Sequence, residues 1–217
     1  IIDTPGYHQL DTNLTGCDED QIITIDSDNV TFDCKGYSIE GDEGVNYGVY
    51  VVDGNNITVQ NCNIDISNQG IYYEEVNGGA IYNNNVSATS EGIRLDYSEW
   101  VSISYNDIKS ENNNALRMYF SENINITNNN ISSILSSNGI FMERSPYNTI
   151  SDNNISTKNS PIQFGNSYNN TISNNNLSAW QSRSIQIYNS SNNSITENVM
   201  SANSSALRIN IGSGYNI

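Results

Sequence analysis

The chain has few basic residues and no long apolar run. Only 8 Lys and Arg stand against 24 Asp and Glu in 217 residues, which gives a formal net charge of −16. Such an acidic chain repels polyphosphates, so the composition excludes nucleic acid as a partner. No stretch reaches the roughly 20 consecutive apolar residues of a membrane-spanning helix, and we expect no membrane span in this segment.

Asparagine is abundant by contrast, at 39 residues. Its amide competes with the backbone for hydrogen bonds, which disfavours helices. A disordered tract is the simple alternative, but isoleucines recur at fixed offsets, which disorder does not require. The phrase "ITNNNISS" at 126–133 returns as "ISDNNIST" at 150–157, "ISNNNLSA" at 172–179 and "ITENVMSA" at 195–202.

Units aligned on this phrase recur every 22 to 24 residues, a period typical of solenoids. Each unit contains two strand-like signatures with apolar residues at alternate positions, which we expect to stack inside the coils. They form four apolar columns, of which the second is Tyr37, Ile64, Val86, Ile108, Ile131, Ile155, Leu177 and Met200. An asparagine column is predicted to form a hydrogen-bonded ladder at a corner: Asn84, Asn106, Asn129, Asn153, Asn175 and Asn198.

Leucine-rich repeats would need a leucine core, and left-handed hexapeptide coils repeat about every 18 residues, so neither fits. The pattern resembles the right-handed parallel β-helix of the pectin-lyase-like superfamily, most closely the NosD-like repeats of microbial surface proteins. The resemblance covers about residues 22–217, and "TPGYHQLDTNLTGC" is similar to the usual entry segment. It implies an all-β solenoid of about eight coils, with an entry segment at 1–21, coils at 22–213 and an unfinished coil starting at 214.

Three cysteines are too few for a disulfide scaffold. Cys17 and Cys34 bracket the entry coil, and we expect a disulfide between them that stabilises the fold by roughly 3 kcal/mol. Cys62 falls in the asparagine column and is predicted to be a buried free thiol. The lone His8 is expected at the surface.

Sequons are numerous because the repeat phrase generates them, but Asn13, Asn189 and Asn203 fall in predicted exposed loops or turns. We therefore predict glycosylation there. Together with a disulfide, few lysines and an acidic surface, these sequons favour an extracellular or cell-surface location.

The later strand of each unit offers the candidate binding surface. Residues between its inward columns should face out, and they include aromatic rings, which stack on sugars, and charged groups, which bind hydroxyls. The predicted ligand-binding residues are Tyr72, Arg94, Arg117, Tyr119, Phe141, Glu143, Gln186, Tyr188 and Arg208. The alternative is a solvated sheet face whose charges pair between neighbouring coils.

Catalytic and metal patterns are weaker. Glu74 and Asp96 with Arg94 could form an acid pair, yet ordinary cross-strand ion pairs look the same, so no catalytic residue is assigned. No cofactor is predicted beyond Ca²⁺ at Asp42 and Glu43 with Asp26, Asp28 and Asp33, for which no fixed ligand loop is present. The copper association of NosD-like proteins does not carry over, because one His and three scattered Met form no soft-ligand cluster.

These observations favour a structural or adhesive module of an envelope, sheath or filament that binds glycans or other envelope proteins. The alternative is a polysaccharide lyase or glycoside hydrolase of the same fold. Because "GYNI" at 214–217 matches the opening of another coil, we expect either a longer polypeptide or self-stacking through an open C-terminal coil.

Overall fold

The structure, a computed structural model, describes residues 1–42, 44–135 and 137–210. Within these ranges the chain forms 27 strands and no helix. The first nine strands are β1 (Gly6–Gln9), β2 (Leu14–Cys17), β3 (Gln21–Ile25), β4 (Val30–Asp33), β5 (Ser38–Gly41), β6 (Tyr47–Val52), β7 (Asn55–Gln60), β8 (Asn63–Ile66) and β9 (Gln69–Glu74).

The next nine are β10 (Asn77–Tyr82), β11 (Asn85–Ala88), β12 (Ile93–Asp96), β13 (Glu99–Ser104), β14 (Asp107–Ser110), β15 (Leu116–Tyr119), β16 (Asn125–Thr127), β17 (Asn130–Ser133) and β18 (Ile140–Glu143). The last nine are β19 (Thr149–Ser151), β20 (Asn154–Thr157), β21 (Ile162–Gly165), β22 (Thr171–Ser173), β23 (Asn176–Ala179), β24 (Ile185–Tyr188), β25 (Ser194–Thr196), β26 (Val199–Ala202) and β27 (Leu207–Ile209).

Every third strand belongs to the same sheet, so the chain winds through three sheets in nine coils. Sheet 1 runs from β1 to β25, sheet 2 from β2 to β26 and sheet 3 from β3 to β27, each with nine strands in coil order. Neighbouring strands are parallel throughout. The predicted all-β parallel solenoid is confirmed, and β1 and β2 of segment 1–21 pair with β4 and β5 of the second coil.

The apolar columns lie inside, as the alternation predicts. Ile103, Ile126 and Ile150 are neighbours in sheet 1 and are fully buried. One position differs: Ile39, not Tyr37, pairs with Ile64, and Tyr37 is 37% exposed. The interval from Phe32 to Ile39 is two residues longer than the equivalent interval of the next coil, from Val59 to Ile64. The inward position of the second column in coil 2 is therefore residue 39 instead of residue 37.

The corner between sheets 2 and 3 brings one coil close to the next. A Cβ added to Gly70 would lie 2.2 Å from Cγ1 of Val86 and 2.5 Å from the carbonyl oxygen of Gly92. Glycine is therefore required at this point by the close approach of the neighbouring coil.

The corner between sheets 1 and 2 contains the predicted asparagine ladder. Nδ2 of Asn106 donates to Oδ1 of Asn129, and Nδ2 of Asn129 donates to Oδ1 of Asn153, both at 3.0 Å. The same oxygens accept backbone N–H groups of the preceding coil at 2.9 Å. The ladder thus satisfies buried polar groups where the chain bends.

Two further ladders were not predicted. At the corner between sheets 3 and 1, the hydroxyl of each serine accepts the backbone N–H of the preceding coil, along Ser98, Ser121, Ser145, Ser167 and Ser190. A second asparagine ladder begins sheet 1 in the later coils, along Asn148, Asn170 and Asn193. Buried amides and hydroxyls therefore stabilise several bends of each coil.

The corners place many non-glycine residues in the left-handed backbone region. Half of those in the described ranges are asparagines, which tolerate this region, but aromatic residues occupy it in coils 4 to 7. Five have φ between 49° and 60°: Tyr97, Trp100, Tyr105, Phe120 and Tyr147. All except Phe120 are more than half exposed, so their rings contribute little to the core.

The disulfide prediction was wrong, because the bridge joins Cys34 to Cys62 with a Cα–Cα distance of 4.7 Å. Both cysteines lie at the corner between sheets 1 and 2 in adjacent coils, where equivalent positions are about one strand spacing apart. Cys17 instead ends β2 in sheet 2 and is the free cysteine. Burial and the negative charges of Asp18 and Asp42 raise the pKa of Cys17, which keeps it protonated.

The last described coil is less covered than the others. Leu207 and Ile209 are 38% and 43% exposed, whereas their partners Ile185 and Ile187 in β24 are fully buried. The predicted coil start at 214–217 lies outside the described residues. In the described ranges, no helix has the length and apolar character to cross a membrane.

Candidate functional site

The predicted stripe lies on the outer face of sheet 3 in an unbroken register. Its first column is Tyr50, Tyr72, Arg94, Arg117, Phe141, Gln163, Gln186 and Arg208. Its second column includes Glu74, Asp96, Tyr119, Glu143 and Tyr188. The alternation of strand residues thus places these side chains together as expected, but their exposure divides them into three parts.

In coils 2 to 4 the stripe packs on itself. The rings of Tyr47, Tyr50 and Tyr72 stack with centroid distances of 5.2 to 5.5 Å, and the guanidinium carbon of Arg94 lies 4.7 Å from the ring centroid of Tyr72. Tyr72 is only 5% exposed. Burial and the charge of Asp96 raise the pKa of Tyr72. Its ring therefore serves packing and is not available to stack on a sugar.

The candidate acids Glu74 and Asp96 are direct neighbours in sheet 3. Tyr50 donates its hydroxyl to Glu74. Arg94 forms an ion pair with Oδ2 of Asp96, and the Tyr72 hydroxyl donates to the same oxygen at 3.2 Å. Burial acts to lower the pKa of Arg94, while the hydrogen bond and charge of Asp96 raise it. Each acid thus has one oxygen bonded to its neighbours, while Oδ1 of Asp96 is buried with no hydrogen-bond partner among the described residues.

In coils 5 and 6 the stripe is more open. Nη1 of Arg117 lies 3.8 Å from Oε1 of Glu91, whose side chain is buried. Phe141 and Tyr119 are half-buried, and Nδ2 of Asn166 donates to Oε1 of Glu143 at 2.6 Å. The charged groups are again paired, but aromatic surface reaches solvent here.

This open part continues around the corner between sheets 3 and 1. We name Tyr97, Tyr119, Phe120, Glu143 and Arg144 the corner cluster. The rings of Tyr97 and Phe120 stack at 5.2 Å with an interplanar angle of 8°, and Tyr119 meets Phe120 edge-on at 4.5 Å. Arg144 lies 5.1 Å from the Phe120 centroid and 4.0 Å from Glu143.

The corner cluster presents aromatic surface to solvent at the corner between sheets 3 and 1. Tyr97 is 52% exposed, and Phe120 and Arg144 occupy the same left-handed corner position in the following coils, with φ of 49° and 53°. A bulky side chain in the left-handed backbone region costs conformational free energy, and here the exposed ring of Tyr97 recovers little of it by packing in the core. Residues held in such a conformation often mark functional sites. The arrangement provides an aromatic platform flanked by a carboxylate and a guanidinium.

The third part of the stripe lies in coils 8 and 9. Gln186 is buried and donates to the hydroxyls of Ser160 and Ser182, and Tyr188 donates to Gln186. Nε of Arg208 donates to Oδ1 of Asn210 at 2.7 Å. Gln186 is therefore a packing residue, whereas Arg208 is exposed.

The three predicted glycosylation positions are exposed, but two have engaged amides. Nδ2 of Asn189 donates to Asn166, and Nδ2 of Asn203 donates to the Trp180 carbonyl. Asn13 uses only its Oδ1, which accepts the backbone N–H of Ser38 at 3.0 Å. Since a glycan is attached to Nδ2, Asn13 is the position where attachment would disturb the described structure least.

Two of the acids considered for Ca²⁺, Asp33 and Asp28, accept hydrogen bonds from residues of their own and adjacent coils. Asp33 accepts hydrogen bonds from Tyr7, the Lys35 backbone, Gln60 and Asn61 at 2.8 to 3.0 Å. Burial acts to raise its pKa, but these hydrogen bonds lower it to about 2.

Oδ1 of Asp28 accepts the backbone N–H and the amide of Asn55. Glu43 lies outside the described residues, and the described part of the chain has no group of three or more His, Cys, Asp or Glu side chains arranged to hold a metal. Calcium binding stays a prediction.

Comparisons with known families agree with this architecture. Residues 91–217 match the family described as "Right handed beta helix region", and residues 6–137 match "Periplasmic copper-binding protein (NosD)". The chain belongs to the right-handed β-helix and NosD families. None of the curated proteins compared with this β-helix chain matches it.

Solved structures with the same fold include proteins whose roles differ from one another. DFA-IIIase from Arthrobacter chlorophenolicus A6, without its lid and in complex with GF2, aligns with a TM-score of 0.61 at 10% identity, over 97% of this chain and 69% of that one. The periplasmic alginate epimerase AlgG double mutant aligns with 0.65 at 12% identity, over 90% and 75%.

Tailspike protein 2 from Escherichia coli O157:H7 bacteriophage CAB120 gives a TM-score of 0.67 at 12% identity, over 98% of this chain and 38% of the tailspike. At such identities, these likenesses concern the fold alone.

The copper implied by the NosD description does not fit the donors of this chain. Nε2 of His8 lies 2.9 Å from the Thr4 carbonyl oxygen, Met118 and Met142 are fully buried in the core, and two of the three cysteines form the disulfide. Copper sites need several imidazole or sulfur ligands that converge. The described residues do not bring such ligands together.

Proposed function

We propose that this chain is a rigid, non-catalytic module of the envelope or cell surface that binds glycans through the corner cluster. Its main role is structural or adhesive. The observation that carries the proposal is the exposed ring of Tyr97, which stacks on the half-buried Phe120 next to Glu143 and Arg144. Aromatic faces stack on sugar rings, while carboxylates and guanidinium groups bind their hydroxyls.

The pairing of charges favours this role over catalysis. A polysaccharide lyase or hydrolase needs acids or bases that are free to exchange protons with a bound substrate. Glu74 is held by Tyr50, and Asp96 by Arg94 and Tyr72. The enzymatic alternative would have to act through the other oxygens, Oε1 of Glu74 and Oδ1 of Asp96, of which the latter is buried.

The comparisons support the location and the ligand class indirectly. The NosD family is described as periplasmic, and one similar fold belongs to a periplasmic epimerase of alginate, which is a polysaccharide. A second belongs to a phage tailspike. We propose the same kind of environment for this chain, with glycans or other envelope proteins as partners, including a second copy stacked on coil 9.

A glycan array probed with the purified chain tests the proposal. We expect selective binding that is lost in the Tyr97→Ala/Phe120→Ala double variant, with an unchanged circular dichroism spectrum. Tyr147→Ala is the matched control. Tyr147 is also exposed and also has a left-handed backbone conformation, but it lies outside the corner cluster. If the double variant still binds glycans, the corner cluster is not the binding site. If the parent chain binds no glycan, the proposal that the chain binds glycans is refuted.

A further inference from the structure

The corner between sheets 1 and 2 contains a recess that is separate from the corner cluster. It crosses coils 2 to 5, from Gly36 at one end to Tyr105 and Asp107 at the other, and has a volume of about 320 Å³. Three strand spacings separate these coils, so the recess is roughly 14 Å long. Its floor is formed by asparagines of coils 3 and 4, including Asn61, Asn83 and Asn85.

The two ends of the recess have structural causes. The corner of coil 2 is two residues longer than that of coil 3. Gly36 of this longer corner lies beside Asn63, whose Nδ2 donates to the Gly36 carbonyl at 2.7 Å. At the other end, Tyr105 adopts the left-handed conformation with φ of 59°. The recess therefore extends from the longer corner of coil 2 to Tyr105 in coil 5.

Tyr105 also interrupts a ladder of asparagines that lines the floor. Nδ2 of Asn83 donates to Oδ1 of Asn61 at 2.8 Å, and Nδ2 of Asn61 donates to Asp33 at 3.0 Å. The next position in this series is Tyr105, which has no amide to continue it. Within the described ranges, Oδ1 of Asn83 and the whole amide of Asn85 have no hydrogen-bond partner in the protein, so both are available to a ligand.

The Tyr105 ring supplies an apolar surface beside these polar groups. It is 58% exposed and contacts Tyr82 edge-on at 5.7 Å. More than half of the residue stays open to solvent. An exposed aromatic ring next to free amide donors and acceptors has the chemistry of a carbohydrate subsite.

The charges of the recess select against acidic sugars. Asp107 is the one charged residue among those that line it in the described part of the chain, and Nζ of Lys109 lies 3.1 Å from Oδ2 of Asp107. A uronate would meet a carboxylate and no unpaired cation, on a chain with net charge −16.

We propose that this recess is a second carbohydrate-binding site, specific for a short neutral oligosaccharide that stacks on Tyr105 and hydrogen-bonds to Asn83 and Asn85. The site is independent of the corner cluster and of the function proposed for it.

Calorimetric titration with cellotetraose, maltotetraose and mannotetraose, and with tetraguluronate as the acidic comparison, tests this inference. We expect at least one neutral tetrasaccharide to bind saturably, with an affinity that falls about tenfold or more in Tyr105→Ala because the stacking surface is lost. Tetraguluronate should bind at least tenfold more weakly than that neutral sugar.

Two variants make the result specific. Asn85→Trp fills the recess without removing a side-chain hydrogen bond within the described part of the protein and should abolish binding, whereas Tyr147→Ala, which lies outside both proposed sites, should leave the affinity within about twofold. Absence of binding by every neutral tetrasaccharide, equal binding of tetraguluronate, or binding unaffected by Tyr105→Ala and Asn85→Trp would overturn the site. A ligand whose binding requires Tyr97 and not Tyr105 would also overturn the recess as a binding site, while it would support the corner cluster.

Discussion

Replacing Asn129 with alanine should destabilise the central coils more than its small size suggests. Its side chain is 2% exposed and forms five hydrogen bonds. Oδ1 accepts the backbone and side-chain N–H groups of Asn106 at 2.9 and 3.0 Å. Nδ2 donates to the carbonyls of Ile103 and Thr127 at 2.8 and 3.0 Å, and to Oδ1 of Asn153 at 3.0 Å.

The magnitude follows from the partners that the substitution leaves behind. Each buried donor or acceptor that loses its partner costs about 1–3 kcal/mol, and some of these groups can recover a weaker partner or water. We therefore expect Asn129→Ala to lower the free energy of unfolding by roughly 3–5 kcal/mol.

The adjacent Asn130 provides the matched control. It is exposed, and its amide donates to Oδ1 of Asp107 at 3.1 Å and accepts from Asn154 at 3.0 Å. Water can replace these contacts, so Asn130→Ala should cost less than about 0.5 kcal/mol.

Guanidinium unfolding followed by circular dichroism measures the difference, and hydrogen exchange locates it, since coils can open separately. Similar losses in both variants, or a loss below about 1 kcal/mol in Asn129→Ala, would refute the reasoning.

Three other perturbations address the core, the disulfide and a buried acid. Ile126→Asp puts an unpaired charge at a fully buried position and should abolish the melting transition of the central coils by circular dichroism; an unchanged transition would contradict the register. Reduction of Cys34–Cys62, which are 28 residues apart, should cost about 3.5 kcal/mol in denaturant unfolding, whereas Cys17→Ser should change nothing. Because its folded pKa lies near 2 instead of 3.8, Asp33 should contribute about 2 kcal/mol above pH 4 that is lost as pH falls towards 2; an equally acid-sensitive Asp33→Asn variant would contradict this.

Much of the solenoid could be predicted because its order is periodic. Ile126 and Asn129 recur at the same offset in successive coils, so alternation and stacking place one in the core and the other at a corner. The prediction of two strand signatures per unit missed that the first is divided by the asparagine corner into strands of sheets 1 and 2, as β16 and β17 show.

The functional surface was harder to predict for a physical reason. Alternation tells which residues of a strand face outward, and it correctly placed Tyr72 and Arg94 on the outer face of sheet 3. It does not tell that three tyrosine rings bury one another, or that Tyr97 and Phe120 project from corners, since corner residues follow backbone conformation and not strand period. Aromatic residues that directly follow the strand end, as in "DYS" and "YFS", are the sequence feature that could have indicated the cluster.

The Cys34–Cys62 bridge also determines how the molecule responds to mechanical pulling. Each coil contacts mainly the coils beside it, so force applied to the ends should unwind the solenoid one coil after another. The bridge keeps the 28-residue interval between its cysteines closed, which withholds about 100 Å of extension until the disulfide is reduced. An oxidising exterior would therefore shorten the reach of the stretched chain, and a reducing one would lengthen it.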